Sequence, residues 1–301
     1  PQGSPPTFPG YINSGSYIIF TNFFFNCTNG YYGWKVTDNG HHIRFANCVI
    51  GNVPRSHGIL VSPGNGGVNK FIEVIGGFIT NIGYNLQPGD NDLHCAYIRT
   101  SSNIIDGVTF RGHTNTGWAI SQYTETAEPF GNIFRNNLIQ PVVEGGHDGI
   151  LISSGDDHQV YNNRLIDTAV GLRIEASCNR VLVANNTIYS TGTGIEVGGA
   201  GGTTDIIIDN NIINETTDPW TSDVHLYSGA VNTVVRNNLA KDYSNSGTGT
   251  TTTNNLFGAQ YDPQFIAPPS NLRIGAASAA LNAGRTETAF STDFEGDSRP
   301  Q

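Results

Sequence analysis

VLVANNTIYSTGTGIEV, residues 181–197, is the stretch on which the fold turns. It holds a short apolar run broken by Asn-Asn, then a second short apolar run opened by Gly. Both halves recur along the chain. The first returns as NIFRNNLI (132–139), QVYNNRLI (159–166), IIIDNNII (206–213) and TVVRNNLA (233–240). The second returns as GWKV (33–36), GILV (58–61), GWAI (117–120), GILI (149–152) and GLRI (171–174). YIIFTNFFF (17–25) and HIRFANCVI (42–50) are degenerate copies of the first half. Phe20, Phe45, Val74, Ile105, Phe134, Val160, Val183, Ile208 and Val235 occupy one equivalent position, at intervals of 23 to 31 residues.

A period of this size with short apolar strands marks a solenoid, in which each repeat stacks on the one before. The fold class is all-β: a right-handed parallel β-helix of about nine rungs with an inward Asn ladder. Stacked rungs lie about 4.8 Å apart, so equivalent side chains become neighbours. Alternation within each strand sends Val, Ile and Leu inward. Asn at a tight bend tolerates left-handed backbone angles and bonds nearby backbone groups. Asn136, Asn162, Asn185, Asn210, Asn237 and Asn254 form the expected inward row. A leucine-rich solenoid would need a Leu-x-x-Leu-x-Leu consensus, which is absent. Residues 1–16 read as a lead-in segment, 17–257 as the helix, and 258–301 as a C-terminal segment expected to cover its open end.

Composition agrees. Only 13% of the 301 residues are charged and 37 are Gly, and a solenoid needs only a thin apolar centre in each rung. The net charge of −10 argues against nucleic acid as a partner. It leaves room for a local Arg cluster, since all but three of the 15 basic residues are Arg. Cys27, Cys48, Cys95 and Cys178 are too scattered for a zinc site and read as unpaired thiols. No apolar run reaches transmembrane length, so membrane insertion is not expected.

The units NNxI…GIxI, with the ending SAALNAG…TDFEGDSRP (278–300), resemble the right-handed β-helix proteins of the pectate-lyase-like superfamily. The resemblance covers nearly the whole chain and is specific for fold rather than activity. It implies a secreted or cell-surface protein and a polysaccharide partner, acidic or neutral. It also implies that the Gly-opened strand is the first strand of each rung, and that sugar chains lie on its face.

Outward positions on that face are expected to run Lys35, Leu60, Tyr97, Ala119, Leu151, Arg173, Glu196 and His225, with Arg99, Ser121, Ser153, Glu175 and Tyr227 next to them. Just before the strand, His57, His94, Thr116 and Asp148 should stack, leaving His94 and Asp148 about 10 Å apart, two rungs. Such a gap would admit a sugar ring or a metal-bridged carboxylate. Cleavage of a uronate by β-elimination needs a base and a cation for the carboxylate. His94, Arg99, His147 and Tyr97 are the candidate catalytic residues; Arg173, Tyr123 and His57 are the candidate substrate contacts. Asp90, Asp92 and Asp148 could hold Ca2+, the implied cofactor, through hard oxygen ligands.

The reading is a polysaccharide lyase of uronate-containing glycans. Its rivals are a non-catalytic glycan-binding or structural solenoid and a uronate epimerase. Gly155-Asp156-Asp157 resembles the paired aspartates of polygalacturonases, but their Asn-Thr-Asp, Gly-His-Gly and Arg-x-Lys companions are missing. Arg173 and Glu196 also fit a plain ion pair between rungs, and Trp118 is expected to point inward.

Overall fold

The computed structural model describes residues 10–28, 32–65, 70–85, 93–113, 117–124, 128–141, 148–214, 216–218, 222–285 and 292–298. Across these described residues one winding chain builds three parallel sheets of ten strands each. Every coil gives one strand to each sheet, so hydrogen-bonded neighbours are a full coil apart in sequence. In the first sheet Trp34–Val36 pairs with Ile59–Val61, which pairs with Ala96–Ile98. Among the described residues the molecule is a parallel β-helix of ten coils, one more than the repeats announce.

The register follows the repeat. Phe20, Phe45, Val74, Ile105, Phe134, Val160, Val183, Ile208 and Val235 stand one above another in the second sheet. Thr252 adds a tenth place to the row where the consensus has decayed. All but Phe20 and Thr252 are buried, each contributing about 1.5–3 kcal/mol of transfer free energy. Small residues line the corner that enters the first sheet. A Cβ on Gly149 would meet the Gly171 carbonyl oxygen at 2.1 Å, so the coils close tightly there.

The Asn ladder exists, but one residue along from the expected row. Asn136, Asn162, Asn185, Asn210, Asn237 and Asn254 take left-handed angles, φ 53 to 57°. That turn swings the next side chain, not their own, into the interior. Asn137, Asn163, Asn186, Asn211, Asn238 and Asn255 form the inward row, each Nδ2 donating to the following Oδ1 at 3.0 Å. Each oxygen from Asn163 onward also accepts the backbone N–H of the preceding ladder residue. The outward asparagines have other work: Asn162 donates to the Thr292 carbonyl, and Asn210 holds both the N–H and the carbonyl of Arg285.

Those contacts bind the C-terminal segment to the flank of the helix, where covering of the open end was expected. Leu272 is buried against Ile166 and Tyr189 of the third sheet, and Glu295 pairs with Arg164 and Arg273. At the other end, Gly10–Ile12 already pairs with Trp34–Val36, so the helix starts inside the lead-in segment. All four cysteines are buried and unpaired.

The ladder makes a sharp prediction. Asn186→Ala strands the Asn163 N–H and one of the two Nδ2–H groups of Asn163, at about 1–3 kcal/mol for each buried group. Thermal melts followed by circular dichroism should show a loss of about 2 kcal/mol or more. Asn185→Gly, at φ 55°, should change stability by less than about 1 kcal/mol.

Candidate functional site

The outer face of the first sheet carries Tyr11, Lys35, Leu60, Tyr97, Ser121, Leu151, Arg173, Glu196, His225 and Ser244 in one stacked row. Ser121 stands where Ala119 was expected, because Ile120, not Trp118, pairs with Ala96. Ala119 instead falls in the corner column of small residues, and Tyr123 takes the place expected for Ser121, between Arg99 and Ser153. Two sequence candidates, Arg99 and Tyr123, thereby become neighbours on adjacent coils.

The same shift changes the column that precedes the sheet. It runs His57, His94, Trp118, Asp148: the His94 N–H donates to His57 Nδ1 and the Trp118 N–H to His94 Nδ1, both at 3.0 Å, and Trp118 registers with Asp148. Thr116 lies outside the described residues. The gap expected between His94 and Asp148 is therefore filled by Trp118, only 7% exposed. Trp118 is also not inward; the Arg173 guanidinium lies 5.5 Å from its ring.

These bonds settle what the two imidazoles can do. A ring nitrogen that accepts an N–H must keep its lone pair, so a neutral His57 or His94 carries its proton on Nε2. Nε2 is then a donor, and neither ring has a second lone pair with which to take a proton. Burial, together with the nearby Arg99 charge, lowers the His57 pKa to about 4. The assignment of His94 as a catalytic base is corrected on this ground.

His57, His94 and Tyr97 pack as one aromatic cluster with ring centroids 4.8 to 5.4 Å apart. The Arg99 guanidinium sits 5.6 Å from the Tyr97 ring, and its Nε is buried without a partner. Lys35 lies over both Tyr11 and Tyr32, at 5.3 and 5.2 Å. Among the described residues neither cation meets a carboxylate.

A second group lies three coils on. Arg173 Nε bonds Glu196 Oε2 at 2.6 Å, the Tyr227 hydroxyl donates to Glu196 Oε1 at 3.4 Å, and Ser153 donates to Glu175 at 3.3 Å. Glu196 is nearly fully buried, so this pair is more than a loose surface contact. Asp148 accepts the Val170 N–H at 3.2 Å. Burial raises its pKa to about 6, against the opposing pull of Arg173.

The structure brings His57, His94, Tyr97 and Arg99 together on adjacent coils and places Asp148 and Arg173 further along the same face. His147, Asp90 and Asp92 lie outside the described residues, so the Ca2+ set reduces there to Asp148 alone. Lys35 and Trp118 were passed over; the Tyr-x-Gly-x-Lys run at 31–35 was the available signal for the first. Asp156 and Asp157 both pair with Arg180 on another corner, at 2.8 and 2.7 Å, which accounts for them structurally. Asp293, Glu295 and Asp297 converge in the C-terminal segment, but Glu295 is already neutralised by two arginines.

His158 offers a test of the imidazole logic. It is buried, accepts the Asn132 N–H at Nδ1, and has its pKa lowered to about 4 by burial. An unfolded imidazole takes a proton near its ordinary value while the folded one refuses it, so stability falls as pH drops from about 6.5 to 4. His158→Asn keeps an acceptor for the Asn132 N–H, as Asn132 itself does for Asn103. Chemical denaturation across that window should show a shallower pH dependence in the variant with stability near neutral pH retained.

The model of the family described as "Right handed beta helix region" matches residues 94–259, more than half of the 301-residue chain. No curated protein matches the chain. Among solved structures, a trypsin-treated QnrB1, described as a plasmid-mediated fluoroquinolone resistance protein, is similar over 81% of this chain and 91% of that one, with 9% sequence identity and a TM-score of 0.23. A likeness at that score carries no argument.

Proposed function

The chain belongs to the right-handed β-helix family, and from that premise we propose that its first-sheet face binds an acidic polysaccharide. The observation that carries the reading is Arg99: a guanidinium with a buried, unpartnered Nε, seated against the Tyr97 ring beside the imidazoles of His57 and His94. A uronate or sulfate group supplies the missing acceptor, and Arg binds such groups through two parallel hydrogen bonds. Tyr97 and Tyr123 offer ring surface for the sugar, and Lys35, two coils earlier in the row of Tyr97, offers a second cation on the same face. A row of sites repeated along the axis suits a chain of repeating charge. The resemblance to the pectate-lyase-like superfamily supports the same face.

Retention on immobilised polygalacturonate, compared with neutral dextran, tests this. The acidic polymer should retain the protein, and Arg99→Ala should weaken binding at least about tenfold, equivalent to about 1.4 kcal/mol. Equal retention by both polymers, or none by either, overturns the reading.

A second reading, β-elimination, rests on Asp148. A carboxylate with its pKa raised to about 6 is ionised near neutral pH and is a stronger base than an ordinary aspartate. Arg173, within electrostatic reach of Asp148, holds Glu196 through Nε and has its remaining guanidinium N–H groups to offer a uronate carboxylate. Incubation with polygalacturonate or alginate, with and without Ca2+, should produce the ultraviolet absorbance of unsaturated uronates. The rate should rise as pH passes through about 6, and Asp148→Asn should remove it while His94→Gln keeps it. Undiminished product from Asp148→Asn excludes this residue as the base.

A further inference from the structure

The corner between the first and second sheets turns, coil after coil, through one left-handed residue. Its column runs Tyr17, His42, Phe71, Ser102, Gly131, Asp157, Arg180, Asp205, Asn232 and Gly249. From Ser102 onward the column uses small or polar residues. The first three places hold aromatic rings at φ 58, 53 and 51°, a conformation that bulky side chains rarely adopt and that costs about 1–3 kcal/mol each.

The strained turn brings together two side chains that a regular strand would separate. Consecutive strand residues point to opposite faces, so His41 and His42 should diverge. The left-handed angle at His42 turns both rings to one side, with their Nδ1 atoms 2.7 Å apart. The His42 ring is clamped between Tyr17 at 4.8 Å and Phe71 at 4.6 Å, both stacked, while His41 meets the Tyr17 ring edge-on at 5.7 Å. His42 is exposed and His41 half-buried, so the pair is open to solvent. It lies at the edge of a groove of about 430 Å³ lined by Tyr17, Ile19, His42, Arg44, Phe71 and Glu73.

At this separation the two rings share a hydrogen bond when one carries its proton on Nδ1, and a cation can take the place of that proton between the two nitrogens. Metal–imidazole bonds are about 2.0–2.1 Å long, so two of them at a right angle hold their nitrogens about 2.9 Å apart. The observed separation is within a small ring rotation of that bite. We propose that His41 and His42 form a bidentate site for a divalent transition-metal ion, with Cu2+ the preferred occupant. Imidazole donors suit Cu2+, Ni2+ and Zn2+, and affinity along that series peaks at Cu2+. Among the described residues no third His, Cys, Asp or Glu side chain joins the pair, so water or an incoming ligand completes the coordination. The Arg44–Glu73 ion pair, closed at 2.7 Å, leaves the adjoining groove without net charge. The ring clamp fixes the orientation of His42, the part that packing around a metal ligand usually plays.

The test is titration of the full chain with CuCl2 near neutral pH, followed by calorimetry and by electron paramagnetic resonance. The wild-type chain should bind with nitrogen hyperfine structure from two imidazoles. His41→Ala and His42→Ala should each weaken binding at least about tenfold, and Phe71→Ala, which removes the clamp but no ligand, should weaken it by about 10–100-fold. Absence of a two-nitrogen signal in the wild-type chain overturns the proposal whatever the variants do. Undiminished binding in the His41→Ala/His42→Ala double variant, from histidines elsewhere, overturns it as well. None of these results depends on whether the first-sheet face binds glycan.

Discussion

The constraint on which this molecule depends is that every side chain has its own counterpart directly above and below it, about 4.8 Å away. A residue type is therefore admitted to the interior only if it can stack on itself. Aliphatic and aromatic groups do so by packing. An amide does so by chemistry, because it carries both a donor and an acceptor and can pass a hydrogen bond along the row indefinitely. A row of buried carboxylates would have acceptors only. The inward row from Asn137 to Asn255 is the polar solution that the geometry permits, and its bonds tie five successive pairs of coils. The opposite corner uses the same device over a shorter span, from Asn103 through Asn132 to the neutral ring of His158.

Outside, the same spacing forbids rows of like charge, and the surface answers with alternation. Arg44 meets Glu73, Arg135 meets Asp106, Arg180 meets Asp156 and Asp157, and Arg236 meets Asp209, each across coil boundaries. Several of these pairs are exposed and add little stability individually. Their regularity sets the background against which Lys35 and Arg99 stand out, since both spend their charge on tyrosine rings. Lys70, Arg111 and Lys241 also meet no carboxylate side chain among the described residues, and what distinguishes Lys35 and Arg99 is a tyrosine ring beside each on the first-sheet face.

Much of this was legible because a β-helix writes its contacts as a period. The nine positions from Phe20 to Val235 were placed from the letters alone, since inward apolar residues at one phase of a repeat have only one way to stack. The errors came where phase is ambiguous by a residue or two. Asn-Asn offers two candidates for one inward place, and only the left-handed angle of the first shows that the second points in. At 117–122 the glycine of GWAI imitates the Gly-led corner, yet Ala119 is small enough to occupy it, and the whole strand moves by two. That shift preserves the inward-outward alternation, so no pattern of hydrophobicity could reveal it. It nonetheless puts Trp118 beside Asp148 and closes the gap in which a ligand was expected. Roles were less legible than places. His94 lies among the predicted residues, but its tautomer is decided by a backbone N–H one coil away, which no motif announces.

The Asn-Asn pair also shows how one repeat serves two surfaces. Its second member holds the interior together, while its first, made available by the same turn, grips the returning C-terminal segment at Thr292 and Arg285. That segment packs Leu272 onto Ile166 and Tyr189, so part of the third sheet's outer face is protein interior. The first sheet is left to the row of rings and charges, and the early corner to its strained aromatic stack. The two proposed ligand sites lie away from the Asn ladder and from the docked C-terminal segment, so a substitution at either would alter binding without loosening the ladder.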